Sequence, residues 1–252
     1  MIDEEKELEE NEEHEEQEEI AASDFEIEHS DFEIQSGVLI KYKGKETDVV
    51  VPNGVKAIGG KAFSLCGDIT SITIPDGVTS IGSYAFELCR SLTTINIPQS
   101  VTRIGDGAFR WCGRLTEIKI PDGVTTICEY IFDNCWRLTN VNIPKGVTSI
   151  EFMAFNGCSA LTSIEIPDGV KNINACAFSK CKQLLNVVIP ASVIKMGGKV
   201  FEDDVHLTVH CRSKKQPKTW NKFWNIKLTV FDKELQVPTK YKRHKVVWGY
   251  KG

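Results

Sequence analysis

Apolar side chains recur along most of this chain with a period of 23 residues. Pro52, Pro75, Pro98, Pro121, Pro144, Pro167 and Pro190 keep that spacing, and Phe63, Phe86, Phe109, Phe132, Phe155, Phe178 and Phe201 follow in the same register without an insertion. A fixed period of this length marks a solenoid of stacked turns. In the turn from Ser91 to Arg110 the apolar residues alternate before the proline, so Leu92, Ile95 and Ile97 face inward and Ile-x-Ile predicts a short strand. Pro98 ends it, because proline has no N–H for a ladder. A second inward pair, Val101 and Ile104, leads through a glycine to Ala108-Phe109, where the spacing predicts a single helical or 3-10 turn.

The glycine after that isoleucine (Gly59, Gly82, Gly105, Gly197) is replaced by Cys128, Glu151 and Asn174 in other turns, which argues against an obligatory positive φ there. The inward positions barely change, since each turn must bury its face against the next. Seven strands stacked at ~4.8 Å make a rod of roughly 34 Å. Its ends need covers. Val38–Tyr42 and Val49–Val51, flanking Lys43-Gly44-Lys45, predict a hairpin over the first turn, and Val205–His210 predicts the last strand.

The unit Leu-x-x-Ile-x-Ile-Pro-x-x-Val-x-x-Ile-Gly-x-x-Ala-Phe-x-x-Cys resembles the leucine-rich repeat of the BspA-like, or Treponema pallidum, type. Seven turns over residues 52–211 match it. The segment from His210-Cys211 through Trp220–Asn225 and then Val246–Tyr250 looks like the C-terminal cap of many such proteins, with residues 226–245 resembling an insertion. The resemblance implies a repeat solenoid: a leucine-rich-repeat right-handed superhelix, mainly parallel β, with one short helical or 3-10 turn per repeat. It also implies recognition as the activity, because members with export signals are surface proteins that bind host matrix or neighbouring cells.

Charge divides the chain further. Residues 1–34 carry a net charge of −16, residues 35–211 of +1 and residues 212–252 of +10. The organisation predicted is an acidic head without fixed structure (1–34), a hairpin cap (35–51), the solenoid (52–211) and a basic, tryptophan-bearing cap and tail (212–252). In the head, Asp24-Phe25-Glu26-Ile27 recurs as Asp31-Phe32-Glu33-Ile34. No apolar run approaches the ~18 residues that cross a bilayer, and the N-terminus has no export signal. With nine cysteines, an odd number, this predicts a reducing, cytoplasmic location, the cell surface being the alternative.

Cys66, Cys89, Cys112, Cys135, Cys158 and Cys181 form a ladder three residues after each phenylalanine, predicted to be buried free thiols; Cys128 and Cys176 lie outside that register. Parallel stacked side chains hold Cβ atoms farther apart than the ~3.8 Å a disulfide prefers. His206 and His210 share a strand face beside Cys211, too few ligands for a zinc site, so no metal or other cofactor is expected. Gly-Gly-Lys at 59–61 and 197–199 lacks the rest of a phosphate loop. None of the five histidines falls within a repeat beside a serine or carboxylate that breaks the pattern, so no enzyme is predicted.

Recognition is left to the outward strand positions. The row Thr70, Thr93, Thr116, Thr139, Thr162 reads as a sheet-stabilising choice. The neighbouring rows vary, and Glu117, Lys119, Asn140, Asn142, Ser163 and Glu165, on three consecutive central turns, are the candidate binding residues. Trp111 and Trp136, which flank the ladder cysteines of adjacent turns, form a possible second patch. The expected activity is non-catalytic binding of a protein partner, as an interaction scaffold or alternatively as a surface adhesin of the BspA-like type. Nucleic acid is set aside because no motif accompanies the basic tail, and nothing predicts membrane insertion.

Overall fold

The computed structural model describes residues 31–204, 206–232 and 237–251. Most of the acidic head, including Asp24–Ile27, therefore lies outside the described residues. The repeating part is a parallel β-solenoid with two strand-bearing sides. The Ile-x-Ile segments form strands such as Ser71–Thr73, Thr94–Asn96 and Glu117–Ile118, and successive turns pair in parallel one period apart, as in Ser71↔Thr94 and Ile72↔Ile95. Strands of two residues, such as Ala57–Ile58, Ser80–Ile81 and Arg103–Ile104, line the second side and also stack in parallel.

The third side corrects the expectation of a helical or 3-10 turn. Among the described residues there is none; the segment around each phenylalanine is a run of tight turns. Hydrogen bonding supplies the reason. The N–H groups of Lys61, Phe63 and Leu65 donate to Ser83, Ala85 and Glu87 of the next turn at 3.0, 2.7 and 2.8 Å, whereas those of Ala62, Ser64 and Cys66 donate three residues back within their own turn. A helix would consume every N–H locally; here alternate ones are spent on stacking. The alternation needs left-handed residues two before and two after each phenylalanine, such as Lys61 (φ 60°) and Leu65 (φ 69°), Gly107 (φ 59°) and Trp111 (φ 63°), or Met153 (φ 54°) and Gly157 (φ 74°). All seven turns carry this pair. For residues other than glycine, asparagine or aspartate the conformation costs about 1–2 kcal/mol.

The glycines that follow the second-side strands (Gly59, Gly82, Gly105, Gly197) do not have positive φ; they allow close approach. A Cβ on Gly82 would lie 2.5 Å from the Gly60 nitrogen, and one on Gly105 2.6 Å from the Ser83 nitrogen.

The core is a single stack. The seven period phenylalanines are fully buried, with neighbouring ring centroids 5.2–5.7 Å apart. Each contributes roughly 1.5–3 kcal/mol by burial. Tyr42 continues the stack at the N-terminal end (5.3 Å from Phe63) and Trp224, one period after Phe201, closes it at the other (6.3 Å).

The N-terminal cover differs from the predicted hairpin. Val38–Tyr42 and Asp48–Val50 do not pair with each other: the former lies beside Ala57–Ile58 and the latter beside Ser71–Thr73, in different sheets. The hairpin is made instead by Phe32–Gln35 and Val38–Tyr42, antiparallel around Ser36 (φ 49°) and Gly37 (φ 75°), a two-residue loop with both φ values positive that suits the strand twist. Residues 32–34, grouped by charge with the acidic head, are thus strand. At the C-terminal end Lys245–Trp248 pairs in parallel with Thr208–Cys211, covering the last turn, and the intervening segment includes an antiparallel ribbon of Ile226–Asp232 with Val237–Arg243.

Candidate recognition surface

All six predicted strand-face residues are exposed, because the inward alternation buries Ile118, Val141 and Ile164 between them. Asn140 stands opposite Glu117 in a parallel pair, while Ser163 and Glu165 pair with Asn186 and Val188 of the following turn. None of Glu117, Lys119 and Glu165 forms an ion pair among the described residues. Asn142 is the exception to this freedom. Its side-chain oxygen accepts from the Ile120 N–H at 2.8 Å and its amide donates to the Ile120 carbonyl at 3.0 Å, so it stitches two turns together.

The strand face is not one continuous sheet. Asp48–Val50, Ser71–Thr73 and Thr94–Asn96 form one, Glu117–Ile118 with Asn140–Val141 a second, and the strands from Ser163–Glu165 onward a third. Beside the first break lies an open cavity of about 460 Å³ lined by Thr94, Ile95, Glu117, Ile118, Lys119, Asn140 and Asn142. Four of the six predicted residues therefore share one groove; Ser163 and Glu165 stand outside it. Ile95 is only half-buried, unlike its equivalents Ile72 and Ile118. Thr94 belongs to the same variable outward row as Glu117 and Asn140, although it was not among the candidate residues; Ile95 and Ile118 carry no signal in the repeat pattern, because both match the inward consensus and the missing rung is a property of the stack.

The threonine row takes the structural role. The Thr70, Thr93 and Thr139 hydroxyls donate to the carbonyls of Thr47, Thr70 and Thr116 at 3.0–3.1 Å. Trp111 and Trp136 meet edge to face with centroids 6.3 Å apart and remain 36% and 42% exposed. Trp136 fits over Gly113, where a Cβ would lie 2.1 Å from the indole.

All nine cysteines are free thiols. Cys89, Cys112, Cys135, Cys158 and Cys181 are buried, and each S–H donates to the carbonyl of the phenylalanine in the preceding turn at 3.0–3.3 Å. Cys66, at the first rung, is half-buried, a departure from the expected uniform ladder at the one rung with no repeat phenylalanine in a turn before it. Burial raises the thiol pKa throughout, to about 11 at Cys128 and about 12 at Cys211. Among the described residues no group of three or more His, Cys, Asp or Glu could hold a metal ion.

The family described as BspA type leucine rich repeat region matches residues 34–161 and 102–223, in six copies. The chain belongs to that family. As a BspA-type leucine-rich-repeat protein it is a non-catalytic repeat solenoid. Among solved structures it is similar to the leucine-rich-repeat protein TpLRR of T. pallidum, at 29% identity over 67% of this chain and 83% of that one, with a TM-score of 0.61. A leucine-rich repeat protein from Bacteroides ovatus is 27% identical over 76% of this chain and 65% of the other, with a TM-score of 0.52. A leucine rich cell surface protein from Faecalibacterium prausnitzii shares 24% identity over 75% of both chains, with a TM-score of 0.47. No curated protein matches the chain.

Membership in the BspA-type family, on whose resemblance the cell-surface alternative rested, overturns the cytoplasmic placement. The thiols gave no valid signal of compartment. Most are buried and hydrogen-bonded, out of reach of an oxidant in any surroundings. Among the described residues no helix is long and apolar enough to cross a membrane.

Proposed function

We propose that this BspA-type chain acts at the cell surface as an adhesin-like recognition module that binds a protein through the variable face of its strands, centred on Glu117, Lys119, Asn140 and Asn142 and extending to Ser163 and Glu165. The observation that carries the reading is the groove lined by the turns of Thr94, Glu117 and Asn140, rimmed by charges that no ion pair among the described residues neutralises. Repeat solenoids bind partners through extended faces of this kind, and charges left unpaired on such a face are available to opposite charges of a protein partner. Family membership supports a recognition role, and the described cell surface relative supports display outside the cell.

Two experiments test this. Antibody labelling of intact native cells should detect the protein without permeabilisation; signal only after permeabilisation ends the surface reading. Purified protein passed over immobilised host matrix proteins should bind at least one of them, and Lys119→Glu with Glu165→Lys should weaken that binding about tenfold or more while leaving the melting temperature nearly unchanged. Undiminished binding by the double variant would move recognition to another face.

A further inference from the structure

The left-handed column two residues after each phenylalanine is occupied unevenly. In later turns it holds Asn134, Gly157 and Asp203, residue types that accept this conformation readily, together with Lys180. In the first three turns it holds Leu65 (φ 69°), Leu88 (φ 62°) and Trp111 (φ 63°), types that the backbone disfavours there. Burial does not explain the choice at the two ends of this run, where Leu65 is 72% exposed and Trp111 36%; Leu88 between them is half-buried. Trp136 extends the row by folding back over Gly113 onto Trp111. An apolar ridge thus runs across four consecutive turns, and at Leu65 and Trp111 it accepts a backbone cost that little burial offsets.

Guanidinium groups flank it. Arg90 stands in the column that Trp136 takes two turns later, and Arg114 and Arg137 follow one residue beyond that column in the next two turns. All three are exposed, and none forms an ion pair among the described residues. Arg110, by contrast, is held by Glu87 and Asp133.

We propose that the ridge of Leu65, Leu88, Trp111 and Trp136, with Arg90, Arg114 and Arg137 beside it, is a second docking surface, and that its occupant is an acidic polypeptide segment bearing apolar side chains. Charge complementarity argues for carboxylates, which guanidinium groups grip in pairs of hydrogen bonds. Exposed tryptophan beside arginine is the composition of a protein-binding hot spot. A narrow ridge held on rigid turns offers little area to a lipid surface.

The test uses the full chain and a fluorescent synthetic peptide of alternating Glu and Leu, with polyglutamate, a heparin fragment and phosphatidylglycerol vesicles in parallel. The alternating peptide should bind more tightly than polyglutamate, and Arg114→Glu with Arg137→Glu, or Trp111→Asn with Trp136→Ser, should weaken it at least about tenfold. Leu65→Asn and Leu88→Asn, which install the residue found at position 134, should also weaken binding while the melting temperature holds or rises. A structural ridge would behave oppositely, and a marked fall in melting temperature in those leucine variants overturns the proposal. So does peptide binding that ignores all of these changes, or tighter binding of heparin or vesicles through the same residues. Lys119→Glu with Glu165→Lys should leave peptide binding intact, so failure here and failure of the strand-face reading are separable.

Discussion

One residue in the cysteine ladder is not a cysteine. Asp204 follows Cys181 by one period, at the place where five buried thiols donate to a phenylalanine carbonyl of the turn before. It is fully buried, and neither carboxyl oxygen has a hydrogen-bond partner among the described residues. Burial pushes its pKa up to about 9, against a weaker downward pull from the Cys181 backbone. The native state therefore keeps a proton that the unfolded chain releases near pH 4. Its contribution to stability is fully present below that pH, declines as pH rises, and is gone above about 9. Asp204→Asn and Asp204→Cys should both raise the melting temperature at pH 8 and leave it little changed at pH 4. Equal shifts at both values would mean that the carboxyl is already ionised in the fold. The other thiols allow a second prediction. Cys66, Cys128 and Cys176 are only half-buried, so a thiol reagent should modify these three in the native protein well before the other six. Fast native labelling of six or more would contradict the burial described here.

At the scale of elements, the strands were legible in the sequence and the turn run was not. Alternation of Leu92, Ile95 and Ile97 before Pro98 is a direct statement of which side chains face the core, and a parallel stack with a 23-residue offset follows from it. The segment around Phe109 carries no such statement. Inward spacing at Ala108-Phe109 and Cys112 fits a helical turn as well as a run of tight turns, and the choice is made by where alternate N–H groups donate. Gly107 and Gly157, with Asn134 and Asp203, were the visible hint of left-handed columns, but lysine, tyrosine and leucine at equivalent positions obscured it. The candidate site divides in the same way: outward positions follow from alternation, while the groove and the capture of Asn142 by the Ile120 backbone depend on how adjacent turns stack. The left-handed columns are testable at Gly107, where φ is 59° and a Cβ would lie 2.4 Å from the Tyr84 ring. Gly107→Ala should lower stability by about 1–2 kcal/mol in denaturant unfolding, from backbone strain alone. Displacement of Tyr84 adds to that. An unchanged midpoint would remove the alternation as the reason no helix forms.

The whole molecule is a stack whose joints are not equal. Between the turn of Thr94–Asn96 and that of Glu117–Ile118 the strand-face sheet ends, and on the second side the ladder also breaks at the same joint, between Arg103–Ile104 and Thr126–Ile127. Cys128 stands there as the first residue with a side chain in the glycine column. What holds the two halves together is the third side. The N–H groups of Gly107, Phe109 and Trp111 donate to Glu129, Ile131 and Asp133 at 2.7, 3.0 and 2.8 Å, and Phe109 stacks on Phe132. Arg110 clamps the same joint, donating to Asp133 at 3.0 Å and reaching back to Glu87 at 3.3 Å, while Asn156 donates to the buried Asp133 carboxylate from the turn beyond. In a solenoid, stability is a sum of turns and nearest-neighbour interfaces, so the weakest joint sets where opening begins. Hydrogen exchange should therefore be faster at the amides of Thr116 and Cys128 than at their equivalents Thr93 and Gly105, which donate to Thr70 and Ile81 at 2.9 and 2.8 Å. Arg110→Met should exaggerate that difference, because it leaves Asp133 buried beside neutral donors alone, at a cost of about 1–3 kcal/mol. The variant should also unfold with a broadened transition as the N-terminal turns separate from the rest. Uniform protection along the stack, or a two-state transition as sharp in Arg110→Met as in the native chain, would show that the joint transmits cooperativity as well as any other. The groove would then be a fixed feature of the surface and not the mouth of a hinge.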